Sequence, residues 1–102
     1  MLDVLDGYDQ IASVGILHQD LKPDNIFIND GMFKIGDFGL SCKINSENLV
    51  RGGTFEYMAP EQLNWKKKVT QKIDIYSLGI MFYQLIFGFH PYFEKEEKDK
   101  FM

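Results

Sequence analysis

The spacing of apolar residues along the chain predicts two helices. Apolar side chains recur at roughly helical spacing from Leu2 to Val14, as on one face of an amphipathic helix. A second helix is expected to begin at Asp74 and to end near Phe87, because Gly88 follows directly and favours a helix C-terminus. The two predicted helices therefore bracket the middle of the sequence.

The second of these helices is apolar on nearly every side. Its length of about fourteen residues is shorter than the ~20 that a bilayer span requires. An apolar helix that does not cross a membrane is expected to be buried in protein on all sides. After it, the charged stretch "EKEEKDKFM" (residues 94–102) predicts the start of a further helix.

Between the two helices, the pattern predicts a β-hairpin and a long loop. Two short strands are expected at Ile26–Ile28 and Phe33–Ile35, joined at Asn29-Asp30-Gly31, which is typical of a tight turn. Leu40–Thr54 is polar and interrupted by glycine, so it is expected to form a long loop, and such loops are usually functional or mobile. A short helix is expected after Pro60. These elements predict an α+β fold that is mainly α.

Composition and charge exclude several classes of protein. The net charge of −4 and the pI near 5.0 argue against a nucleic-acid-binding surface. The basic run Lys66-Lys67-Lys68 is interpreted as a solvated loop or helix end. Cys42 is the only cysteine, so no internal disulfide forms, and the acidic start lacks the features of a secretory signal. An intracellular, cytoplasmic location is therefore expected.

The stretch "HQDLKPDN" (His18–Asn25) combines three chemically different groups. It brings the carboxylate of Asp20, the ammonium of Lys22 and the amide of Asn25 together within one short loop. A further carboxylate, Asp37, follows the second strand, and the hairpin between them returns the chain so that Asn25 and Asp37 can come close together. Each group alone would be an ordinary loop residue. Together, at this spacing, they favour a functional site.

The ordered motifs "HQDLKPDN", "DFG", "GTFEYMAPE" and "DIYSLG" resemble the catalytic core of eukaryotic protein kinases. The resemblance covers nearly the whole chain. It implies that residues 1–102 form one partial kinase domain: the large C-terminal lobe from the helix before the catalytic loop to the start of the helix after the apolar one. The small lobe, with its glycine-rich loop and strand lysine, is absent, so the chain is expected to be a fragment that is inactive alone.

The resemblance also implies roles for the individual residues. Asp20 would accept or orient the proton of the substrate hydroxyl, and Lys22 would hold the transferred phosphoryl group. Thr54 would contact both of them and completes the catalytic set. Asn25 and Asp37 would bind Mg²⁺.

ATP would lie against a further group of residues in the same resemblance. Phe27, together with Met81 and Leu85, would lie beneath the adenine ring, although aromatic and methionine residues at this spacing are core residues in any case. Phe27 thus joins Lys22 and the two metal-binding residues as a cofactor-binding group.

Three other residues would support the catalytic loop. By the same resemblance, the rings of His18 and Phe38 would stack in an apolar column beneath the loop. Asp74 would accept hydrogen bonds from the loop backbone, and the alternative for Asp74 is simple N-terminal capping of its helix.

The function implied is transfer of the γ-phosphoryl group of ATP to Ser or Thr hydroxyls of a protein substrate. Lys22 with Thr54 in "GTFEYMAPE" is the pattern of serine/threonine kinases as opposed to tyrosine kinases. One alternative is a non-catalytic binding or scaffold module related to kinases, and another is a Mg²⁺-dependent phosphotransferase that does not act on protein. Neither a nucleic-acid partner nor a membrane span is expected, and the sequence leaves the oligomeric state open.

Gln19 and Val50 depart from the kinase pattern. An arginine usually precedes the catalytic aspartate and pairs with a phosphate on the activation loop. Gln19 carries no charge, and Val50, at the position usually phosphorylated, has no hydroxyl. Drift in a decaying gene would explain both. The hypothesis favoured by their joint change is a loop that does not depend on phosphorylation, with Ser41 and Ser46 as misplaced acceptors.

Overall fold

Two helices and two small antiparallel ribbons make up the fold in the computed structural model, which describes residues 2–44, 51–64 and 67–92. The regular elements, in chain order, are α1 (Leu2–Ser13), β1 (Ile16–Leu17), β2 (Ile26–Asn29), β3 (Met32–Ile35), β4 (Cys42–Lys43) and α2 (Lys72–Phe87). Three short 3₁₀ helices lie between them, at Pro23–Asn25, Phe55–Tyr57 and Pro60–Leu63. The predicted combination of helices with a small β component is confirmed. The residues 94–102, predicted to start another helix, lie outside the described part.

The predicted hairpin is confirmed, with each strand one residue longer than expected. β2 pairs with β3 in a register that runs from Ile26 opposite Ile35 to Asn29 opposite Met32. The two loop residues, Asp30 and Gly31, have φ angles of 53° and 76°. Positive φ at both positions is the geometry of a type I′ turn, whose twist matches that of the flanking strands. The turn thereby fixes the register of the hairpin.

The ends of both helices agree with the sequence to within two residues. α1 ends one residue before the predicted Val14, and Gly15 follows with a φ of 77°. α2 begins at Lys72, two residues before the predicted start, and ends at Phe87 as predicted. Gly88, with a φ of 82°, closes it by donating its N–H to the carbonyl of Gln84 at 2.8 Å.

The predicted loop Leu40–Thr54 contains a short strand that the sequence did not indicate. β4 pairs antiparallel with β1, with Leu17 opposite Cys42. The N–H of Ile44 then donates to the carbonyl of Gly15 at 2.8 Å. Strands of two residues are too short to show alternation of apolar and polar side chains, so no periodicity could reveal them. The pairing of β1 with β4 holds the start of the predicted loop, Leu40–Thr54, next to the "HQDLKPDN" stretch.

Helix α2 contributes to both hydrophobic clusters of the described core. The first cluster joins α1, the catalytic-loop stretch and α2, and its buried members are Val4, Tyr8, Leu21, Leu78 and Met81. The second packs the beginning of α2 against residues that precede it in the chain, and its buried members are Leu17, Ala59, Val69 and Ile73. Burial of apolar surface in these two clusters is the main source of stability for this arrangement. α2 is therefore the element on which the rest is assembled.

The prediction that this apolar helix is buried on all sides is wrong. One side is buried, but Ile75, Leu85, Ile86 and Phe87 are each exposed over 57–61% of their surface. An apolar sequence shows that a helix can be buried, but other parts of the protein must pack against it to bury it. The described residues do not pack against this side of α2. The described residues contain no helix that is both long and apolar enough to cross a membrane.

Candidate active site

Two hydrogen bonds join the three residues predicted to be catalytic. The hydroxyl of Thr54 donates to Asp20 Oδ1 at 2.8 Å, and Lys22 Nζ donates to Thr54 Oγ1 at 2.8 Å. Thr54 lies more than thirty positions from both partners in the sequence, so only the fold brings it there. The result is a half-buried cluster in which the hydroxyl of Thr54 bridges the ammonium group of Lys22 and the carboxylate of Asp20.

The backbone and side chain of Asp20 are held by its neighbours in the loop. Asn25 Nδ2 donates to the carbonyl of Asp20 at 2.6 Å and lies 3.3 Å from its Oδ2. The N–H of Asp20 donates to His18 Nδ1 at 3.1 Å. Because Nδ1 accepts, the proton of the neutral imidazole is on Nε2, which donates to the carbonyl of Gly36 at 2.8 Å. The histidine thus connects Asp20 to the end of the hairpin.

The two predicted Mg²⁺ ligands have oxygen atoms suited to that ion. Since Asn25 uses its amide nitrogen on Asp20, its amide oxygen is directed elsewhere. Asp37 is exposed, and the N–H of Gly39 lies 3.4 Å from its Oδ1. The N–H of Gly36 donates to the backbone carbonyl of Asn25 at 2.8 Å, which brings the two ligand-bearing segments side by side. Mg²⁺ usually takes only one or two protein oxygens beside phosphates and water, so this donor set fits it.

Asp74 anchors the loop backbone, as predicted. Its Oδ2 accepts the N–H of His18 at 2.8 Å, and its Oδ1 accepts the N–H of Gln19 at 2.9 Å. Tyr8 donates its hydroxyl to Oδ2 as well, at 3.1 Å. Asp74 is fully buried; burial raises the pKa of its carboxyl group, and the three hydrogen bonds oppose that rise. The residue that precedes α2 is Gln71, so the alternative of simple capping does not describe Asp74.

The predicted ring contact between His18 and Phe38 is confirmed, with ring centroids 5.0 Å apart in an edge-to-face arrangement. His18 is fully buried, whereas 46% of Phe38 is exposed. The contact places the residue after Asp37 directly against the loop that carries Asp20.

The residues predicted to contact adenine do not all line one cavity. Met81 and Leu85 line an apolar cavity of about 210 Å³ with residues that include Ile26 and Ile28. Phe27 does not line it, because neighbouring residues of a strand point to opposite faces. Its ring lies so close to Gly36 that a Cβ there would be 2.4 Å from the ring. Phe27 thus lies on the other face of its strand from this cavity, and the predicted contact of Phe27, Met81 and Leu85 with the adenine ring stays a prediction.

Sequence comparison identifies the family. A model of the protein kinase domain matches residues 1–102. The chain belongs to the protein kinase domain family.

Relatives of this kinase chain include proteins from plants and an animal. It is 42% identical to a Wee1-like protein kinase of Oryza sativa subsp. japonica over 88 residues, which are 86% of the chain and 17% of that protein. It is 40% identical over 102 residues to the interferon-induced, double-stranded RNA-activated protein kinase of Mus musculus, covering 96% of the chain and 19% of that protein. It is 38% identical over 94 residues to the serine/threonine/tyrosine-protein kinase HT1 of Arabidopsis thaliana, covering 89% of the chain and 24% of that protein. The chain thus spans at most 24% of the length of these relatives.

Two residues that support the candidate site were not found from the sequence. Tyr8 lies 66 positions from the carboxylate it binds, and its hydroxyl also lies 3.3 Å from the carbonyl of Gln71. Ser77 donates its hydroxyl to the carbonyl of Tyr57 at 2.6 Å, which fixes the chain just after Thr54 to α2. A tyrosine and a serine at helical core spacing carry no local signal of such contacts. Only the resemblance to kinases could have suggested where to look.

Proposed function

We propose that residues 1–102 form the catalytic-loop and activation-segment part of the large lobe of a serine/threonine protein kinase domain. The full-length protein transfers the γ-phosphoryl group of ATP to Ser or Thr hydroxyls of a protein substrate. The observation that carries the proposal is the hydrogen-bonded cluster of Asp20, Thr54 and Lys22. Its carboxylate and ammonium are the two groups that an attacking hydroxyl and a transferred phosphoryl group require.

The reaction follows from the position of each group. The substrate hydroxyl approaches Asp20, which takes its proton as the hydroxyl oxygen bonds to the γ-phosphorus and the bond to the ADP oxygen breaks. Lys22 offsets the negative charge on the phosphoryl group during transfer. Thr54 holds these two side chains at a fixed separation. Asn25 and Asp37 would hold Mg²⁺, which supplies neutralisation of the phosphate charge when bound.

The preference for Ser and Thr rests on the same cluster. The hydroxyl of Thr54 and the ammonium of Lys22 flank the carboxylate of Asp20. The Arabidopsis relative is a serine/threonine/tyrosine-protein kinase by name, so a direct test of the acceptor is informative. Peptide libraries with Ser, Thr or Tyr as the sole acceptor will measure it. We expect phosphate incorporation into the Ser and Thr libraries, and incorporation into the Tyr library alone would contradict the assignment.

The division of roles is tested with two substitutions in the full-length natural protein. We expect Asp20→Asn to lower the rate of transfer by about 100-fold or more, since a positioned acid or base contributes 10²–10⁴-fold. Its Kd for Mg²⁺-ATP should stay near the unsubstituted value, because Asp20 acts on the substrate hydroxyl. Asp37→Asn should weaken Mg²⁺-ATP binding itself.

Asp9→Asn, an exposed position on α1, is the matched control and should change neither quantity. Equal loss of nucleotide binding in the Asp20 and Asp37 variants would contradict the assigned roles. An unsubstituted protein that binds nucleotide without transferring phosphate would instead be the non-catalytic scaffold.

A further inference from the structure

Gln19 is buried in an unusual backbone conformation between the catalytic loop and the activation segment, here defined as Asp37–Glu61. Only 2% of its surface is exposed, and its φ of 73° lies in the left-handed region that side chains rarely adopt. The bond from its N–H to Asp74 stabilises that conformation. The conformation directs the side chain away from Asp74 and toward β4.

The side-chain amide of Gln19 reaches the first part of the activation segment. Its Nε2 donates to the carbonyl of Leu40 at 3.0 Å and to Cys42 Sγ at 3.5 Å. Both partners are uncharged, and burial raises the pKa of the Cys42 thiol, which keeps it neutral at ordinary pH. The contact is therefore an uncharged one that requires no counter-ion.

The backbone of Gln19 meets the second described part of the same segment. A Cβ on Gly53, whose φ is 135°, would lie 2.6 Å from the carbonyl oxygen of Gln19. Only glycine can approach so closely in this conformation. The residues that follow Gly53 and Gln19 are also in contact, because the hydroxyl of Thr54 donates to the carboxylate of Asp20. Gln19 thus touches the segment on both sides of the residues that the structure leaves undescribed.

We infer that Gln19 is a positioning residue: its side-chain amide holds the first described part of the activation segment against the catalytic loop without phosphate, and its carbonyl packs against Gly53 in the second part. This inference rests on the proposed kinase function. The hydroxyl oxygen of Ser41 is buried and makes no hydrogen bond within the described residues, so it cannot be phosphorylated unless the segment opens. Ser46 and Val50 lie outside the described part of the chain.

The experiment compares Gln19→Met with the unsubstituted full-length protein. Methionine has a similar length and shape but donates no hydrogen bond, so it leaves the partly buried carbonyl of Leu40 without this donor. Gln10→Met, the same change at an exposed position of α1, is the control. Each protein is treated with phosphatase, and mass spectrometry confirms that residues 41–54 carry no phosphate. Hydrogen exchange of residues 41–44, kcat on a Ser/Thr peptide library and the Kd for Mg²⁺-ATP are then measured.

We expect the dephosphorylated, unsubstituted protein to keep its activity. In Gln19→Met, loss of the partly buried hydrogen bond to Leu40 should make residues 41–44 exchange about tenfold faster and lower kcat by about tenfold. The Kd for Mg²⁺-ATP should change by less than about threefold, because the metal-binding residues are untouched. Gln10→Met should behave like the unsubstituted protein.

Two results would overturn the inference. The first is a Gln19→Met variant whose hydrogen exchange at residues 41–44 and whose kcat both equal those of the unsubstituted protein. The second is activity that disappears with phosphatase and returns when residues 41–54 are rephosphorylated. If the unsubstituted protein transfers no phosphate at all, the proposed function fails. The exchange of residues 41–44 still decides whether Gln19 holds the segment.

Discussion

Tyr8 is a residue whose titration reports on the buried carboxylate of Asp74. Burial, and then the nearby negative charge of Asp74, raise the pKa of Tyr8 well above its ordinary value. In the unfolded chain Tyr8 ionises near pH ~10, whereas in the folded chain it keeps its proton to higher pH. The contribution of this proton to the free energy of unfolding is therefore fully present below pH ~10 and is lost as the pH rises further.

Tyr8→Phe should lower the free energy of unfolding by about 1 kcal/mol at pH 7, because two hydrogen-bond acceptors lose their donor. The gap between the two proteins should shrink between pH ~10 and ~11, where the unsubstituted protein loses the contribution of Tyr8. Urea unfolding of the full-length protein at several pH values measures the gap. Tyr92→Phe, at a position 65% exposed, is the control and should unfold at pH 7 with the same free energy as the unsubstituted protein. A gap for Tyr8→Phe that is independent of pH would contradict the expectation.

At the scale of elements, the short segment before Thr54 depends on close backbone approach. Gly53→Ala would place a methyl group 2.6 Å from the carbonyl of Gln19, where a backbone atom cannot move aside. Gly52→Ala would meet the end of the Leu40 side chain at 2.9 Å, and that side chain can rotate. We expect phosphoryl transfer to fall by about tenfold or more in Gly53→Ala and by about threefold or less in Gly52→Ala. Steady-state assays of the two full-length variants test this, and equal losses would count against it.

Sequence alone gave those elements whose determinants are local. The hairpin was predictable because Asp30-Gly31 is a typical turn sequence. The C-terminal ends of both helices were predictable because a glycine, Gly15 or Gly88, lies close after each. The pairing of β1 with β4 could not be predicted, since the pairing of two-residue strands depends on tertiary contacts. The exposed side of α2 was misjudged for the same reason: composition does not specify which neighbour covers a side chain.

The site follows the same division. Asp20, Lys22 and Asn25 lie within six positions of one another, so their proximity was evident from the sequence. Thr54 was assigned only through the resemblance to kinases. Tyr8 was missed because its partner lies 66 positions away.

At the scale of the whole molecule, the described chain leaves apolar surface uncovered. One side of α2 is exposed, and the cavity lined by Met81 and Leu85 is almost wholly apolar. Purified alone, these 102 residues should bind ATP weakly and transfer no phosphate, because an open site is screened by water. They should also self-associate through the uncovered apolar surface. Calorimetry with Mg²⁺-ATP, a transfer assay and sedimentation velocity measure the three properties.

Ile86→Lys is the informative variant for self-association, because this side chain is 61% exposed and its replacement breaks the apolar surface without filling the core. We expect the variant to sediment as a smaller species with unchanged helical circular dichroism. Robust ATP-dependent transfer by the isolated chain, or a chain that stays monomeric without the substitution, would contradict these expectations.

The bonds from the catalytic loop to Asp74 also bear on how the protein is made. His18 and Gln19 are anchored to a carboxylate 56 and 55 positions further along the chain. A ribosome adding ~5–20 residues per second completes the loop roughly 3 to 11 seconds before it supplies that carboxylate. During this interval no anchor exists for the left-handed backbone at Gln19, so the neighbouring Asp20 has no fixed position. The acid at the centre of the proposed chemistry therefore takes its final position only after the ribosome has added the first residues of α2.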